Sequence, residues 1–382
     1  MSTTITTAYR EYASRPADER FESVRALVED ATHDRDLSAE RSYNLKDLKI
    51  VTTQEAIAVT YDPYFGQSLR LQSPRGNAKF THWSFGQACR MVGAPAGYIR
   101  TLPPAIAADA LNYGLRETAA GTAANLLVKQ NGGEPIVRAC TSDTYGRVWD
   151  ADLYGAVQYQ LTDRDPAWQL PPVWGGGVAG AYRGDRDSFL IVTNGGSIVT
   201  DPSLRGTVDG GDKGDSSMYR GLMIRNSEVG ASSIVIEQIL FRYICGNHML
   251  WGAVIDQKFR RRHVKGTIVR DVMKTITSIA FNWAHASPER DNAIIRNLID
   301  REIAHTKEGV LDELKAMGAT KEQAEAMYAR CEQTEQASPR SFWGAVQGLT
   351  RLSQDSGYQS DRYELDTLAA KIMARGAKLV TA

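Results

Sequence analysis

The sequence carries no net charge: 45 lysines and arginines are balanced by 45 aspartates and glutamates. Proteins that coat polynucleotides commonly show a high isoelectric point. Any contact with phosphates must therefore come from local clustering of charge, not from the total. Long apolar runs are also missing. No stretch reaches the roughly 18 apolar residues of a membrane-spanning helix, so no span is expected. The opening residues MSTTITTAYREYASRPADER lack the apolar segment of a secretory signal. Cysteine is scarce, with only Cys89, Cys140, Cys245 and Cys331, far apart and in apolar or helical contexts. That spacing gives no disulfide framework and points to a reducing, cytoplasmic setting. Familiar catalytic signatures are missing as well: no GxxxxGK[ST] phosphate loop, no HExxH, no paired CxxC and no GxSxG. No cofactor and no resident metal is expected, and no catalytic residue stands out.

What remains is an ordinary globular composition, 42% hydrophobic and 24% charged, in 382 residues. The most informative stretch runs from Met218 to Arg270. Met218 to Arg225 alternates large apolar and polar residues. Asn226-Ser227-Glu228-Val229-Gly230 supplies turn chemistry, because glycine accepts positive φ and Asn and Ser bond their own backbone. Ser232 to Cys245 is rich in Ile, Val, Phe and Tyr, which suit a pleated surface. Val235, Ile239, Phe241 and Tyr243 share one face with Glu237. Ile234, Ile236 and Leu240 share the other with Gln238 and Arg242. Two apolar faces predict a central strand, with a buried helix as the competing assignment. Glu237 and Arg242 need partners if buried.

Around this hairpin the chain divides into an N-terminal helix or arm (1–40), an α+β core (41–268) and a helical C-terminal region (269–382). Phe21, Val24, Leu27 and Val28 sit at helical spacing, which fits a docked surface helix or an arm reaching a neighbouring subunit. Strands are predicted in LKDLKIVTT, AIAVTYD and QSLRLQS. Thr81 N-caps a helix through Val92, ended by Gly93, and Pro103-Pro104 opens another. A hairpin is expected around Asn131-Gly132-Gly133, a helix over 149–161, and a strand over 188–193 that stops at Asn194-Gly195-Gly196. Gly175 to Gly180 matches GxGxxG formally, but a strand follows it where a dinucleotide site needs a helix, so it reads as a loop. The fold class is α+β: a central antiparallel sheet with helices, and a mostly helical C-terminal third.

Two blocks carry a resemblance. Thr81-His82-Trp83-Ser84-Phe85-Gly86-Gln87-Ala88-Cys89, Gly93 to Tyr98, Leu102-Pro103 and Leu111-Asn112 form the first. Asn226 to Ser232 with Arg242-Tyr243-Ile244-Cys245-Gly246-Asn247 form the second. Over roughly residues 80 to 250 the chain resembles a phage- and plasmid-borne family of unknown function. The resemblance implies a mobile-element origin. The family pattern has Asn-Ser-His-Asp-Gly-Ser, where this chain has Glu228-Val229 in place of His-Asp.

The densest basic cluster is Lys258, Arg260, Arg261, Arg262 and Lys265, with Arg270 beyond it. These residues, with Arg242, Lys213 and Arg220 as additions, are the candidate phosphate contacts. Tyr243, Phe259 and Tyr219 are the candidate base-stacking aromatics. Basic grooves that track a backbone while aromatics stack on bases are how single strands are held. The expected function is therefore nucleic-acid binding in phage DNA metabolism, with single-stranded DNA favoured, in a homo-oligomeric assembly of the style of single-strand annealing proteins. A second expectation is a non-enzymatic protein that binds a host protein, since seven tryptophans supply hot-spot residues. A third is a metal-dependent nuclease using Asp209, Asp212 and Asp215 in the glycine-rich loop. Cys245 and His248 could offer two zinc ligands but lack a matching pair. His82 and His263 complete the histidines of interest, His82 as a structural residue of a capping turn.

Overall fold

Two sheets form because the chain alternates β-rich and helical stretches in its first two-thirds. The fold is described by a computed structural model that covers residues 16–53, 68–130, 132–171, 180–199, 218–242, 249–252, 258–266, 269–334 and 338–355, with isolated positions between 365 and 376. The GxGxxG loop up to residue 179, the AIAVTYD segment, the Asp209/Asp212/Asp215 loop with Lys213, and Tyr243, Cys245 and His248 lie outside the described residues.

The chain opens with β1 (Arg20–Phe21) and α1 (Val24–Asp36). Ser23 caps α1 by accepting from the Ala26 N–H. Leu27 and Ala31 on its inner face are fully buried, so this segment is a docked core element. Then come β2 (Ser38–Asn44), β3 (Lys49–Thr52), β4 (Leu69–Ser73) and β5 (Gly76–Phe80). The first helical cluster is α2 (His82–Met91), α3 (Ala96–Ile99) and α4 (Pro104–Glu117). Thr81 and Ser84 make a reciprocal capping box at the start of α2, and Gly93 takes φ +70° just past its end. A hairpin follows, β6 (Ala123–Lys129) and β7 (Ile136–Ser142). Strands β2-β6-β7-β5-β4-β3 form one sheet, antiparallel except between β5 and β7. Its apolar side packs Leu71, Phe80, Leu126 and Val137 against Phe85, Cys89, Leu111 and Leu115 of α2 and α4. Burial pushes the thiols of Cys89 and Cys140 up to about 11 and about 12, as expected of packed, unreactive cysteines.

Helix α5 (Asp150–Val157) continues as a π turn over Gln158–Thr162 and leads to β8 (Trp168–Gln169). The second sheet then runs through β9 (Ala181–Arg183), β10 (Ser188–Val199), β11 (Met218–Asn226), β12 (Ile234–Arg242), β13 (Met249–Gly252) and β14 (Lys258–Arg261). The order is β1-β9-β10-β11-β12-β13, with β14 on β12 and β8 on β10. The predicted hairpin is β11 and β12, in register from Met218 against Arg242 to Arg225 against Val235, with Gly230 at φ +76° in the turn. Strand β12 is central, as its two apolar faces require. Leu190, Val192, Leu222, Ile224, Ile234 and Ile236 face the main core, and Phe189, Ile191, Met223 and Ile239 face the other side.

One expectation fails here. Strand β10 does not stop at Asn194-Gly195-Gly196. Its register with β11 shifts between Asn194 and Ile198, and the strand continues to Val199. The glycines form a bulge, held by Gly195 N–H to Ala167 O and Gly196 N–H to Asn194 Oδ1.

The C-terminal third is helical: α6 (Val269–Ala284), α7 (Pro288–Asp300), α8 (Lys307–Ala316), α9 (Lys321–Thr334) and α10 (Phe342–Asp355). Thr320 caps α9 in a box with Gln323. These helices bury Ile276, Trp283, Leu314, Met327, Trp343 and Val346 in the same core as the second sheet.

Arg220 of β11 joins the sheet to α6. It is 2% exposed, and its guanidinium stacks over Trp283 at 4.8 Å. It donates to the carbonyls of Trp283, Ala286 and Ser287, satisfying acceptors that the helix end leaves bare. Arg220 is therefore a helix cap and does not face a ligand. Arg220→Met should lower stability by about 2–3 kcal/mol, since charged hydrogen bonds to buried carbonyls are removed. Urea titration reads this as a lower midpoint, and an unchanged midpoint would remove the capping role.

Candidate nucleic-acid interface

The turn between β11 and β12 is the junction of the molecule. Asn226, Ser227 and Glu228 are buried there. Asn226 Nδ2 donates to Val148 O and to Asp150 Oδ1. Ser227 Oγ donates to Arg186 O. Val229 O accepts from Trp83 Nε1 and from Gln87 Nε2, which ties the turn to α2. The two resembling blocks thus touch each other, far apart in sequence but adjacent in space.

Glu228 is the hub of a buried ionic network. Its carboxylate meets Arg138 of β7 at 3.0 Å and Arg183 of β9 at 3.4 Å. Arg183 also meets Asp150 at 3.2 Å and Asp30 and Asp34 of α1 at 2.8 Å each. Lys129 of β6 pairs with Asp34. Both sheets, α1 and α5 are thereby joined by charge. Desolvation by burial, then the neighbouring Glu228, push Asp150 up to about 6. Burial would also raise Asp34, but Arg183, Lys129 and Arg138 outweigh it and hold that carboxyl below its ordinary value. Every carboxylate here has a cationic partner, so the arrangement is a structural clamp. Among the described residues no group of three His, Cys, Asp or Glu is placed to hold a metal ion.

The predicted basic cluster lies beside the same turn. Strand β14 pairs with the first half of β12: Lys258 opposite Glu237, Phe259 opposite Ile236, Arg260 opposite Val235 and Arg261 opposite Ile234. Arg260, Arg261, Arg262 and Lys265 are exposed. Arg260 Nε donates to Ser233 Oγ, and the Lys265 N–H donates to Thr144 O. Among the described residues no carboxylate pairs with Arg260, Arg261 or Lys265. Arg270 is exposed on the first turn of α6. The structure does not bring Arg242 to this cluster. It ends β12, seven residues beyond Val235, which is roughly 23 Å at about 3.3 Å per strand residue. Phe259 is half-buried against the main core. Tyr219, half-buried on β11 opposite Phe241, lies near the Arg242 end of the sheet.

His263 closes this edge. It is buried, stacks on Tyr145 at 5.2 Å, and neither ring nitrogen has a hydrogen-bond partner. Burial, with the charge of Arg147, lowers its pKa to about 4. A histidine depressed in this way contributes stability above its ordinary pKa of 6.5 and loses it as pH falls toward 4. Thermal melts of His263→Phe should therefore lose less stability than the wild type between pH 6.5 and 4. Parallel curves would show that the ring charges without cost.

Sequence reasoning missed a second arginine group near the turn, tied to it through Trp83. An open cleft of about 500 Å³ runs along α2 and α3, lined among others by His82, Trp83, Gly86, Arg90 and Arg100. Arg100 donates to His82 O and lies over the Phe85 ring. Arg186 lies over the Trp83 ring at 4.5 Å. The available signal was the four-residue spacing of His82, Gly86 and Arg90, which puts all three on one helix face.

Fold and site together define an α+β protein built on two sheets, clamped by buried ion pairs, with exposed arginines on the strand paired with β12 beside its central hairpin turn. Residues 174–365, half of the chain, match the domain of unknown function DUF932, and the chain belongs to that family. The match holds the hairpin turn and β14, while the cleft helices precede it. No curated protein and no solved structure matches the chain. No described helix is long and apolar enough to cross a membrane.

Proposed function

We propose that this protein binds single-stranded nucleic acid, without catalysis, in the DNA metabolism of a phage or other mobile element, and that it does so as a homo-oligomer in the cytoplasm. The carrying observation is the run of exposed cations Arg260, Arg261, Arg262 and Lys265 on β14 and the turn after it. Three of these, Arg260, Arg261 and Lys265, have no carboxylate partner among the described residues. Uncompensated guanidinium groups on a rigid strand attract phosphates and release their counterions, whatever the net charge of the molecule. Among the described residues β14 pairs only with β12, and that edge position leaves them open to a strand that follows the sheet. Fluorescence anisotropy with labelled single- and double-stranded oligonucleotides at two salt concentrations tests this. Tighter binding to the single strand, with a steep salt dependence, is expected. Absence of binding at low salt removes the reading.

A second reading is docking to a host protein. It draws on Tyr98, Ile106 and Tyr113, which are exposed large side chains on α3 and α4, the last two seven residues apart on one helix face. Light scattering and capture from host lysate separate it from self-assembly.

A further inference from the structure

The cleft along α2 is lined by residues other than those of β14. Its contents are one-sided: Arg90, Arg100, His82 and Trp83 line it, and no Asp or Glu does. Among the described residues no carboxylate pairs with Arg90, Arg100 or Arg186. Two guanidinium groups, Arg90 and Arg100, line this concavity, and a third, Arg186, lies over the Trp83 ring that lines it. Arginine forks match the oxygens of a phosphate two at a time. The first residues of α2, His82 and Trp83, face the same space, and the start of a ten-residue helix adds its own partial positive charge.

The cleft also has a planar, apolar component. The Trp83 indole is held by its N–H bond to Val229 O at 3.1 Å and bears the Arg186 guanidinium on its ring at 4.5 Å. Aromatic rings and arginine planes are both surfaces on which nucleobases stack. A volume of about 500 Å³ falls in the usual range for a small-molecule site and far exceeds a lone phosphate. Gly86 sits in the middle of α2, where glycine costs about 1 kcal/mol relative to alanine. A side-chain carbon there would meet only Arg100 Nη2, at 3.6 Å, so packing does not demand glycine, and its absence of side chain keeps the cleft open.

We propose that this cleft binds a phosphate monoester carried on a nucleoside, a nucleoside 5′-monophosphate, either free or as the 5′ end of a strand. The site goes beyond the strand-binding surface on β14 and can stand or fall without it. His82 reports on it. Desolvation and the charges of Arg100 and Arg186 hold its imidazole below the ordinary value. A phosphate between those arginines and His82 would cancel that field and let the imidazole charge at higher pH.

The test is isothermal titration calorimetry of the full chain with adenosine 5′-monophosphate, adenosine and inorganic phosphate. The monophosphate should bind in the micromolar range, with adenosine and phosphate each at least about tenfold weaker, since each keeps only half of the interactions. Arg90→Gln removes an exposed cation and Gly86→Val fills the cleft. Each should weaken monophosphate binding about tenfold or more while melting like the wild type. By NMR, the His82 ring should titrate at higher pH when the monophosphate is bound. A variant with Arg260, Arg261 and Arg262 changed to Ala should bind the monophosphate normally, which separates failure of the strand reading from failure of this one. Comparing a short oligothymidine with and without a 5′-phosphate names the source: preference for the phosphorylated end assigns a strand terminus, and equal binding assigns a free nucleotide. The proposal is overturned if the monophosphate does not bind, or if neither Arg90→Gln nor Gly86→Val weakens it.

Discussion

Arg183→Met is expected to be the most damaging single substitution in the chain. The side chain is 4% exposed and lies within ion-pair distance of Asp30, Asp34, Asp150 and Glu228. Methionine keeps the bulk and removes the charge. Glu228 would then keep Arg138, while Asp150 would lie buried without the one cation that pairs with it among the described residues. Breaking a buried ion pair from one side typically costs about 3–5 kcal/mol, because the surviving charge is stranded in a poor dielectric. In a domain of this size that corresponds to a fall in melting temperature on the order of 10 °C. The pH dependence should change too. In the wild type, Asp150 with its raised value near 6 contributes most below about pH 4, and that contribution is lost as pH rises through 6. Without Arg183 the stranded carboxylates are relieved by protonation, so the variant should recover stability as pH falls from 7 toward 5. Asp34 works in the opposite sense and in a lower window, its lowered value adding stability that is lost only as pH falls below about 4. Differential scanning calorimetry across pH checks both parts. A melting temperature within about 2 °C of wild type, with no added pH dependence, would mean that the clamp is ornamental.

The second large effect concerns binding. Changing Lys258, Arg260, Arg261 and Arg262 together to Ala should reduce affinity for single-stranded DNA by about a hundredfold near physiological salt. The slope of log affinity against log salt should flatten by roughly 0.7 for each phosphate that is no longer neutralised. Arg260, Arg261 and Arg262 are exposed, and Phe259, which secures β14 to the core, is untouched, so the fold should survive. Circular dichroism verifies this. Arg220→Met makes a useful contrast, because it should lower stability and leave the salt slope alone. Equal affinity and equal slope in the fourfold variant would end the strand reading.

The parts of this fold that are legible in the sequence are those with local causes. The β11–β12 hairpin follows from alternating side chains and a glycine at positive φ. The caps at Thr81 and Thr320 follow from hydroxyl residues ahead of apolar periodicity. The C-terminal helices follow from their 3.6-residue pattern. What stayed hidden has non-local causes. Strand β2, SAERSYN, has little apolar content, and pairing with β6 alone makes it a strand. The clamp unites Asp34, Arg138, Asp150, Arg183 and Glu228, which no spacing rule connects. The basic cluster was visible as consecutive letters, but its membership was not. Arg242 belongs to the far end of its strand, Arg220 is a helix cap, and Phe259 is half-buried against the core. Departure from the resembling pattern at Glu228 now has a physical meaning, since an anion at that position neutralises two buried arginines.

The clamp also constrains how the molecule can be divided. The matched segment begins at residue 174, yet Asp34, Arg138 and Asp150, which neutralise or accompany Arg183 and Glu228, all precede it. So do Leu27, Leu153, Tyr154 and Val157, which cover the second sheet. Excised at its family boundary, the segment would lose the α1 and α5 side of its core, and Arg183 and Glu228 would keep only each other of their buried ionic partners. The family boundary is thus a boundary of sequence likeness, and the smallest autonomous folding unit has to reach back at least to α1.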